Sequence, residues 1–576
     1  MRPPRLLAVS VAALALLAGV GRAGTPLRLI PAEADFVLQV HDPVRALDAV
    51  KNLDVLSKVT SLAAIKEQLD STSARRLRQF VAYFEKSLGD KWPALVGRLA
   101  SGGAALGLKY GNPNPPLVLV VQGSDEALLE KVLATAVEVL EAELARQESK
   151  EKVEKGDYHG VPGFKLGDLW AARAGAALVI ANRKEAMQKA IDLHLGREKQ
   201  SLADHPGLRE AAGLLPKSPL ASGWLNMVPV QKSPAGKDLY KSPRDNPQLT
   251  VLFGQYLDVL GRTPFLCGAL SGEKDEFRLT IRAPRGRDGM GSDRLLHLPP
   301  KGEPGCRPLL QPKGVLYSSS YYLDFASLWK DRDQLFNKAQ ADGLAGFEKN
   351  SGRFLGGVKI STLLESAGPY QRLVVAHQAA RPYKREPLIR LPAVAFVSEL
   401  RQPERFGRAV DTLLRTAAIF ATDTFKVEMK EEKHRDHAIV AYRFNEKAEV
   451  KEDVNDLRYN FTPCFVRVGN QFVISSTVEL CKQLIDELAK VSPASEMPRR
   501  VSGQDRIYSR GFADYLEVIE DQLITQTILD QAVPPGEAKK QAEEVVALLR
   551  GLGSLSTSVE FRSKQVRFDV RVKLGK

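Results

Sequence analysis

Apolar and polar positions alternate along this chain in two rhythms, and the rhythms recur in one order. PPLVLVVQG (115–123) is a continuous apolar run and predicts a buried strand. SDEALLEKVLATAVEVLEAELARQ follows with Leu, Val and Ala at helical spacing, and Ser124 is its predicted N-cap. KVEKGDYHGVPGFKL carries turn residues at Gly156-Asp157 and Gly160, and WAARAGAALVIA predicts a short hairpin around Gly175. A helix is predicted from about Lys184. The second half repeats this succession. PAVAFVSEL (392–400) is a strand and QPERFGRAVDTLLRTAAIFA a helix. KVEMKEEKHRDHAIVAYRF is a hairpin and CFVRVGNQFVIS another, turning at Gly469-Asn470 before a helix from about Thr477 to Lys490. Both halves therefore read β-α-β-β-β-β-α.

The repeat is visible in individual residues. WAARAGAALVIANRKEAMQKAID (170–192) overlays CFVRVGNQFVISSTVELCKQLID (464–486) at an offset of 294, with Arg, Gly, Val, Ile, Glu, Ile and Asp coinciding. The flanks correspond as well. ADFVLQVHDPVRAL (34–47) matches GVLYSSSYYLDFASL (314–328), and AALGLKYG (104–111) matches RLVVAHQ (372–378). Each half ends in a strand and an alternating hairpin, LCGALSGEKDEFRLTIRAP in one and LSTSVEFRSKQVRFDVRVKL in the other. The expected architecture is α+β: two related lobes, each a mainly antiparallel sheet with amphipathic helices packed on one face. Leu128, Val132, Val137 and Leu140 are then core residues rather than a cofactor box. The expected organisation is a signal peptide (1–23), a first α+β lobe (24–283), an exposed Pro/Gly-rich linker (284–313) and a second lobe (314–576). QKSPAGKDLYKSPRDNPQ (231–248) is expected to be a long mobile loop.

The N-terminal segment changes the cellular picture. Arg2 and Arg5 precede an apolar run from Leu6 to Val20, and Gly21-Arg22-Ala23 offers small residues for cleavage after Ala23. The run is short for a membrane span, and no later segment reaches that length. The expectation is export to the periplasm or beyond, with an uncleaved N-terminal anchor as the alternative. Composition fits an ordinary globular protein, 44% hydrophobic and 26% charged. The net charge of +13 is interleaved with acids, as in EVKEDVND, and reads as a solvated face. RPYKRE (381–386) and PRR (498–500) are the places where an anionic polymer could bind. A basic stripe interleaved with stacking aromatics is absent, which argues against nucleic acid. The four cysteines, Cys267, Cys306, Cys464 and Cys481, allow three pairings; Cys464 and Cys481 are expected to lie close, as a disulfide or equally as a buried free pair.

Candidate chemistry is sparse. His434 and His437 flank Arg435-Asp436, and a His-x-Asp-His group could hold a metal ion. The cluster sits at a predicted turn, however, and the first copy offers only His159 in the place of His437, so an exposed turn is the preferred reading. Ser327 and Ser149 open S-x-x-K matches without the accompanying penicillin-binding signatures. No GxSxG elbow or phosphate-binding loop occurs, and Asn460 heads a glycosylation sequon. Arg173 with Arg467, and Glu185 with Glu479, repeat; strand surface and helix first-turn positions account for them. No catalytic, cofactor-binding or metal residue is assigned, and no cofactor is expected.

The signal segment followed by IPAEADFVLQVHD, with Tyr158, Gly160 and Val161 before Trp170, Arg173 and Gly175, resembles a group of exported bacterial proteins of unknown function. The second copy departs from this pattern at Cys464, where the Trp would stand. The resemblance implies an envelope location and no established activity. The expected function is a non-enzymatic, exported envelope protein acting as a two-lobed binding or scaffolding module. A hydrolase acting on an envelope polymer through carboxylates is the alternative, and binding of an anionic polymer is a third reading.

Overall fold

The computed structural model describes residues 25–575, except 52–58, 61–64, 67–68, 112, 242–244, 274, 292–295, 301, 355–356, 449–452 and 491–500. The expected signal peptide and the 498–500 basic patch lie outside the described residues. The fold is α+β with antiparallel strand pairing throughout. The chain divides into two compact units, one made of residues up to Asp238 with Arg262–Pro284, the other of Leu239–Gly261 with Arg285–Lys576.

In the first unit the strands are β1 (Phe36–Val40), β2 (Gly103–Leu108), β3 (Leu117–Gln122), β4 (Glu154–Tyr158), β5 (Val161–Leu166), β6 (Leu169–Ala174), β7 (Ala177–Ala181), β8 (Ala221–Asn226), β9 (Phe265–Glu273) and β10 (Glu276–Ala283). Their order across the sheet is β4-β5-β6-β7-β3-β2-β1-β8-β9-β10. The helices of this unit include α1 (Thr72–Leu88), α2 (Trp92–Leu99), α3 (Glu126–Arg146) and α4 (Lys184–His194).

In the second unit the strands are β11 (Val315–Tyr322), β12 (Ala367–Ala376), β13 (Ala393–Leu400), β14 (Val427–His434), β15 (His437–Phe444), β16 (Cys464–Val468), β17 (Gln471–Ser475), β18 (Val501–Tyr508), β19 (Ser554–Phe561) and β20 (Val566–Lys573). They are ordered β14-β15-β16-β17-β13-β12-β11-β18-β19-β20, the first unit's order strand for strand. Its helices include α5 (Pro247–Arg262), α6 (Ile360–Ser366), α7 (Pro403–Phe425) and α8 (Val478–Lys490). The correspondence extends to register. Trp170 faces Ala181 and Ala174 faces Ala177 in the first unit; Cys464 faces Ser475 and Val468 faces Gln471 in the second. Both hairpins turn on a glycine with positive φ, 61° at Gly175 and 60° at Gly469, which glycine adopts at little cost.

Each central sheet is covered by helices on both faces, not on one as the sequence suggested. Alternate residues of β3 show why. Val118 and Val120 pack with Ala190 and Ile191 of α4, while Leu119 and Val121 pack with Val96 of α2. An uninterrupted apolar run has no face to give to water, so helices close both sides. In the second unit α8 supplies Leu480, Leu484 and Ile485 to one face, and α6 and α7 supply Leu363, Ala409 and Val410 to the other.

Several local expectations change. The N-cap of α3 is Asp125, whose carboxylate accepts from the Leu128 amide, rather than Ser124. Gly156-Asp157 lies within β4, and the turn falls at His159-Gly160. Residues 231–248 are not a long loop, since Met227–Lys232 and Pro234–Lys241 are helical and α5 begins at Pro247. The 284–313 stretch differs most from an exposed linker. Leu296, Leu298, Cys306 and Leu310 are buried, and Arg307 clamps Glu399 through two 2.7 Å hydrogen bonds while its guanidinium lies 3.9 Å from the Tyr370 ring centre. The described residues of this stretch therefore take part in the packing of the second unit.

Candidate functional site

Three helices roof one face of the first unit's sheet, and each is fixed at its ends by polar chemistry. At the start of α1 the Ser71 hydroxyl accepts from the Ala74 amide, and Gly89, with φ 76°, ends the helix. Glu85 then reaches forward to accept from the Trp92 amide at 2.8 Å, the first N–H of α2. That backbone hydrogen bond, followed by Lys91, holds the Glu85 carboxyl below its ordinary range. Arg98 joins α2 to α3 by bonding Asp90 at 2.8 Å and the capping Asp125 at 2.5 Å. Arg173 of β6 pairs with Glu126 in the first turn of α3, just as Arg467 of β16 pairs with Glu404 in the first turn of α7. The repeated arginines thus tie a strand to a helix start.

Held in this way, the roof does not fill the space beneath it. Phe80, Val81, Phe84 and Leu88 of α1, Trp92, Leu95, Val96 and Leu99 of α2, and Leu129, Val132, Leu133, Ala136 and Leu140 of α3 face the sheet across a cavity. The floor is Val121, Phe164, Leu166, Leu169, Ala171, Leu178 and Ile180. The cavity volume is about 120 Å³, and part of it opens to solvent. Every lining residue is aliphatic or aromatic. Leu128, Val137 and Leu140 are buried as expected of core residues, but Val132 and Leu140 also line this void.

The equivalent layer of the second unit is occupied by rings. At matching register, Ala171 corresponds to Phe465 and Leu178 to Phe472. Phe472 packs against Phe406 and Phe465 at centroid distances of 5.1 and 5.9 Å. The cross-strand partner of Ala171 is Phe164, and that of Phe465 is Val440, so the large member of the pair has changed strands. In the first unit the ring of this pair comes from β5, and β6 and β7 contribute Ala171 and Leu178 to the lining.

An unpaired polar group moved into such surroundings costs roughly 2–7 kcal/mol, whereas each buried methylene gains about 0.8 kcal/mol. The cavity can therefore hold apolar matter, and no lining side chain can transfer a proton or act as a nucleophile.

The sequence-derived candidates lie elsewhere and are engaged in structure. His434 Nε2 is 3.1 Å from Asp486 Oδ1 and Arg435 Nε 2.6 Å from the same oxygen. The hydrogen bond to His434, with the Arg435 charge, keeps the Asp486 carboxyl below its ordinary value. His437 stands across the hairpin from His434, as Val161 does from Tyr158. His159 therefore corresponds to Arg435, both with φ 52°, and not to His437. Tyr158 takes the place of His434, and its hydroxyl donates to Asp192, the residue matching Asp486. No group of three or more His, Cys, Asp or Glu side chains suited to a metal converges among the described residues.

Ser327 donates to Asp324 at the start of the helix Phe325–Lys330, and Ser149 follows the end of α3 rather than lying in a helix. Asn460 is buried, its amide donating to the Ile389 carbonyl and its carbonyl accepting from Leu391, so the sequon asparagine is unavailable for modification in the folded chain. Glu185 and Glu479 lie in the first turns of α4 and α8. In the 381–386 patch, Arg381 and Arg390 both pair with Glu386. All four cysteines are free and buried. Burial pushes the Cys267 and Cys306 thiols up to about 12, and the Cys464 thiol is raised by hydrogen bonding with Cys481 and by burial.

Sequence comparison adds no family: no family description matches the chain, and no curated protein matches it. Among solved structures the chain is similar to crystal forms of TP0453, a Treponema protein. Crystal form III aligns at 11% identity and TM-score 0.24, over 48% of this chain and 85% of that one. Crystal form I aligns at 12% and 0.25, over 47% and 82%. Likeness at this level carries no argument about fold or function.

Proposed function

We propose that this chain is an exported envelope protein, non-enzymatic, built from two copies of one α+β unit, and that it works by binding an apolar ligand in the first copy. The observation that carries the proposal is the almost wholly apolar cavity beneath α1, α2 and α3, which no charged side chain lines. Pockets that bind small molecules are concave and mainly hydrophobic, and this one lacks the ionisable groups that catalysis requires. Duplication is supported by the identical strand order and by hairpin registers that match at an offset of 294. Export is supported by the n-region, apolar run and small residues of 1–23. Among the described residues no helix is long and apolar enough to cross a membrane.

The test is titration of the purified chain with an apolar fluorophore such as N-phenyl-1-naphthylamine. Saturable binding of one probe per chain is expected, with at least tenfold weaker binding in Ala171→Phe, which introduces the ring that the second unit carries. Absence of saturable binding would overturn the proposal, as would full retention of binding in the variant.

A further inference from the structure

Resting on the reading of the cavity as a ligand site, we infer that its ligand is one unbranched acyl chain, lying along α3 with its polar end outside.

The dimensions argue for a rod. On α3 the lining residues run from Leu129 to Leu140, a rise of about 16 Å at 1.5 Å per residue. The floor is drawn from β5, β6, β7 and β3, four adjacent strands that span about 14 Å at their usual spacing. These two directions coincide. Asp125, the cap of α3, follows directly on β3, while Leu140 and Leu144 pack on Leu166 of β5, so the helix crosses the four strands from one end to the other. Lining residues occur along that whole crossing, in the single side-chain layer between helices and sheet, and on this ground the cavity is read as a slot.

The lining argues for a chain with a polar end elsewhere. The Trp92 indole N–H is the one side-chain donor in the lining and no lining side chain carries a charge, so a buried carboxylate or phosphate would lose most of its water without replacement. An acyl chain satisfies both conditions, and free fatty acids and phospholipids share it. The determinants of the slot are Ala171 and Leu178, because the second unit has Phe465 and Phe472 at the same register and rings in the corresponding layer.

The experiment displaces the bound fluorophore from the full chain with saturated carboxylates of 8, 12 and 16 carbons, with a rigid sterol, and with phosphatidylglycerol vesicles. Affinity is expected to rise about fourfold per methylene until the chain outgrows the slot, and then to level off. Ala171→Phe and Leu178→Phe should each lose this binding by tenfold or more without lowering the thermal midpoint, and either variant suffices if the other does not fold. Displacement by free carboxylates identifies a free acid as the donor of the chain. Displacement by vesicles alone identifies a phospholipid, and both results support the inference. Should the fluorophore bind and be lost in the variants while carboxylates act without length dependence, or while the sterol displaces it equally well, the acyl assignment falls and the ligand site stands. If the fluorophore never binds saturably, or ignores both variants, the site itself falls.

Discussion

A single carboxylate at Asp324 starts a helix and anchors an arginine. Its oxygens accept from the Ala326 amide at 3.0 Å, from the Ser327 hydroxyl at 2.8 Å and from both Arg401 terminal nitrogens at 2.8 Å. Burial works to raise its pKa, but the Arg401 and Ser327 hydrogen bonds prevail and hold it below the usual 3.8. A carboxylate depressed in the folded state contributes stability above its unfolded value, and that contribution is lost as pH falls through the folded value. Asp324→Asn should therefore cost about 1–2 kcal/mol in urea unfolding at pH 7. The gap to the native chain should narrow once pH drops below about 4. A gap independent of pH would show that charge plays no part. At this scale the sequence was partly legible. The repeated Arg and Glu were visible by overlay, and the strand and helix roles suggested for them hold at Arg173, Arg467, Glu185 and Glu479. The cavity was not visible, because apolar periodicity reports that Val132 and Leu140 face inward without reporting how fully the facing volumes match.

At the scale of elements, the most legible feature was the hairpin with its following helix, where turn chemistry and periodicity agree. Its glycine carries a specific expectation. Gly469 has φ 60°, and nothing lies within 4 Å of the position a Cβ would occupy. Gly469→Val thus meets no neighbour and isolates the backbone term, expected at about 1–2 kcal/mol for a β-branched residue held in the left-handed region. Chemical denaturation measures it, and a cost near zero would mean that the turn relaxes to another type. Elements defined by polar composition were less legible. QKSPAGKDLYKSPRDNPQ looked like a loop because Pro and Ser suggest interruption, yet Pro at a helix start is tolerated, and Pro234 and Pro247 open helices. The hairpin turn was legible at Gly160, whereas Gly156, also read as turn chemistry, lies in a strand with open space around it.

At the scale of the whole chain, repetition showed the shared succession of elements and composition marked the place, near Pro284, where the two units part. Strand order was inaccessible because pairing partners such as β3 and β7 are separated by an entire helix and three strands. Exposure of the following stretch was not legible for a different reason: Pro, Gly and charge mark regions without regular structure, and such a region can still be buried. The described residues of 284–313 form no strand, but Leu310 is fully buried in the core that holds Val374, Val397 and Leu484. Leu239–Gly261 likewise comes before the linker in sequence and groups with the second unit. Leu310→Ala distinguishes a connector from a structural part. A free linker would tolerate the change within about 0.5 kcal/mol, as exposed positions do. A leucine removed from a packed core costs about 2–5 kcal/mol, the range depending on how far the surroundings collapse. Urea unfolding monitored by circular dichroism should therefore show a lower midpoint for this variant. An unchanged midpoint would return 284–313 to the role of a connector and leave the second unit complete without it.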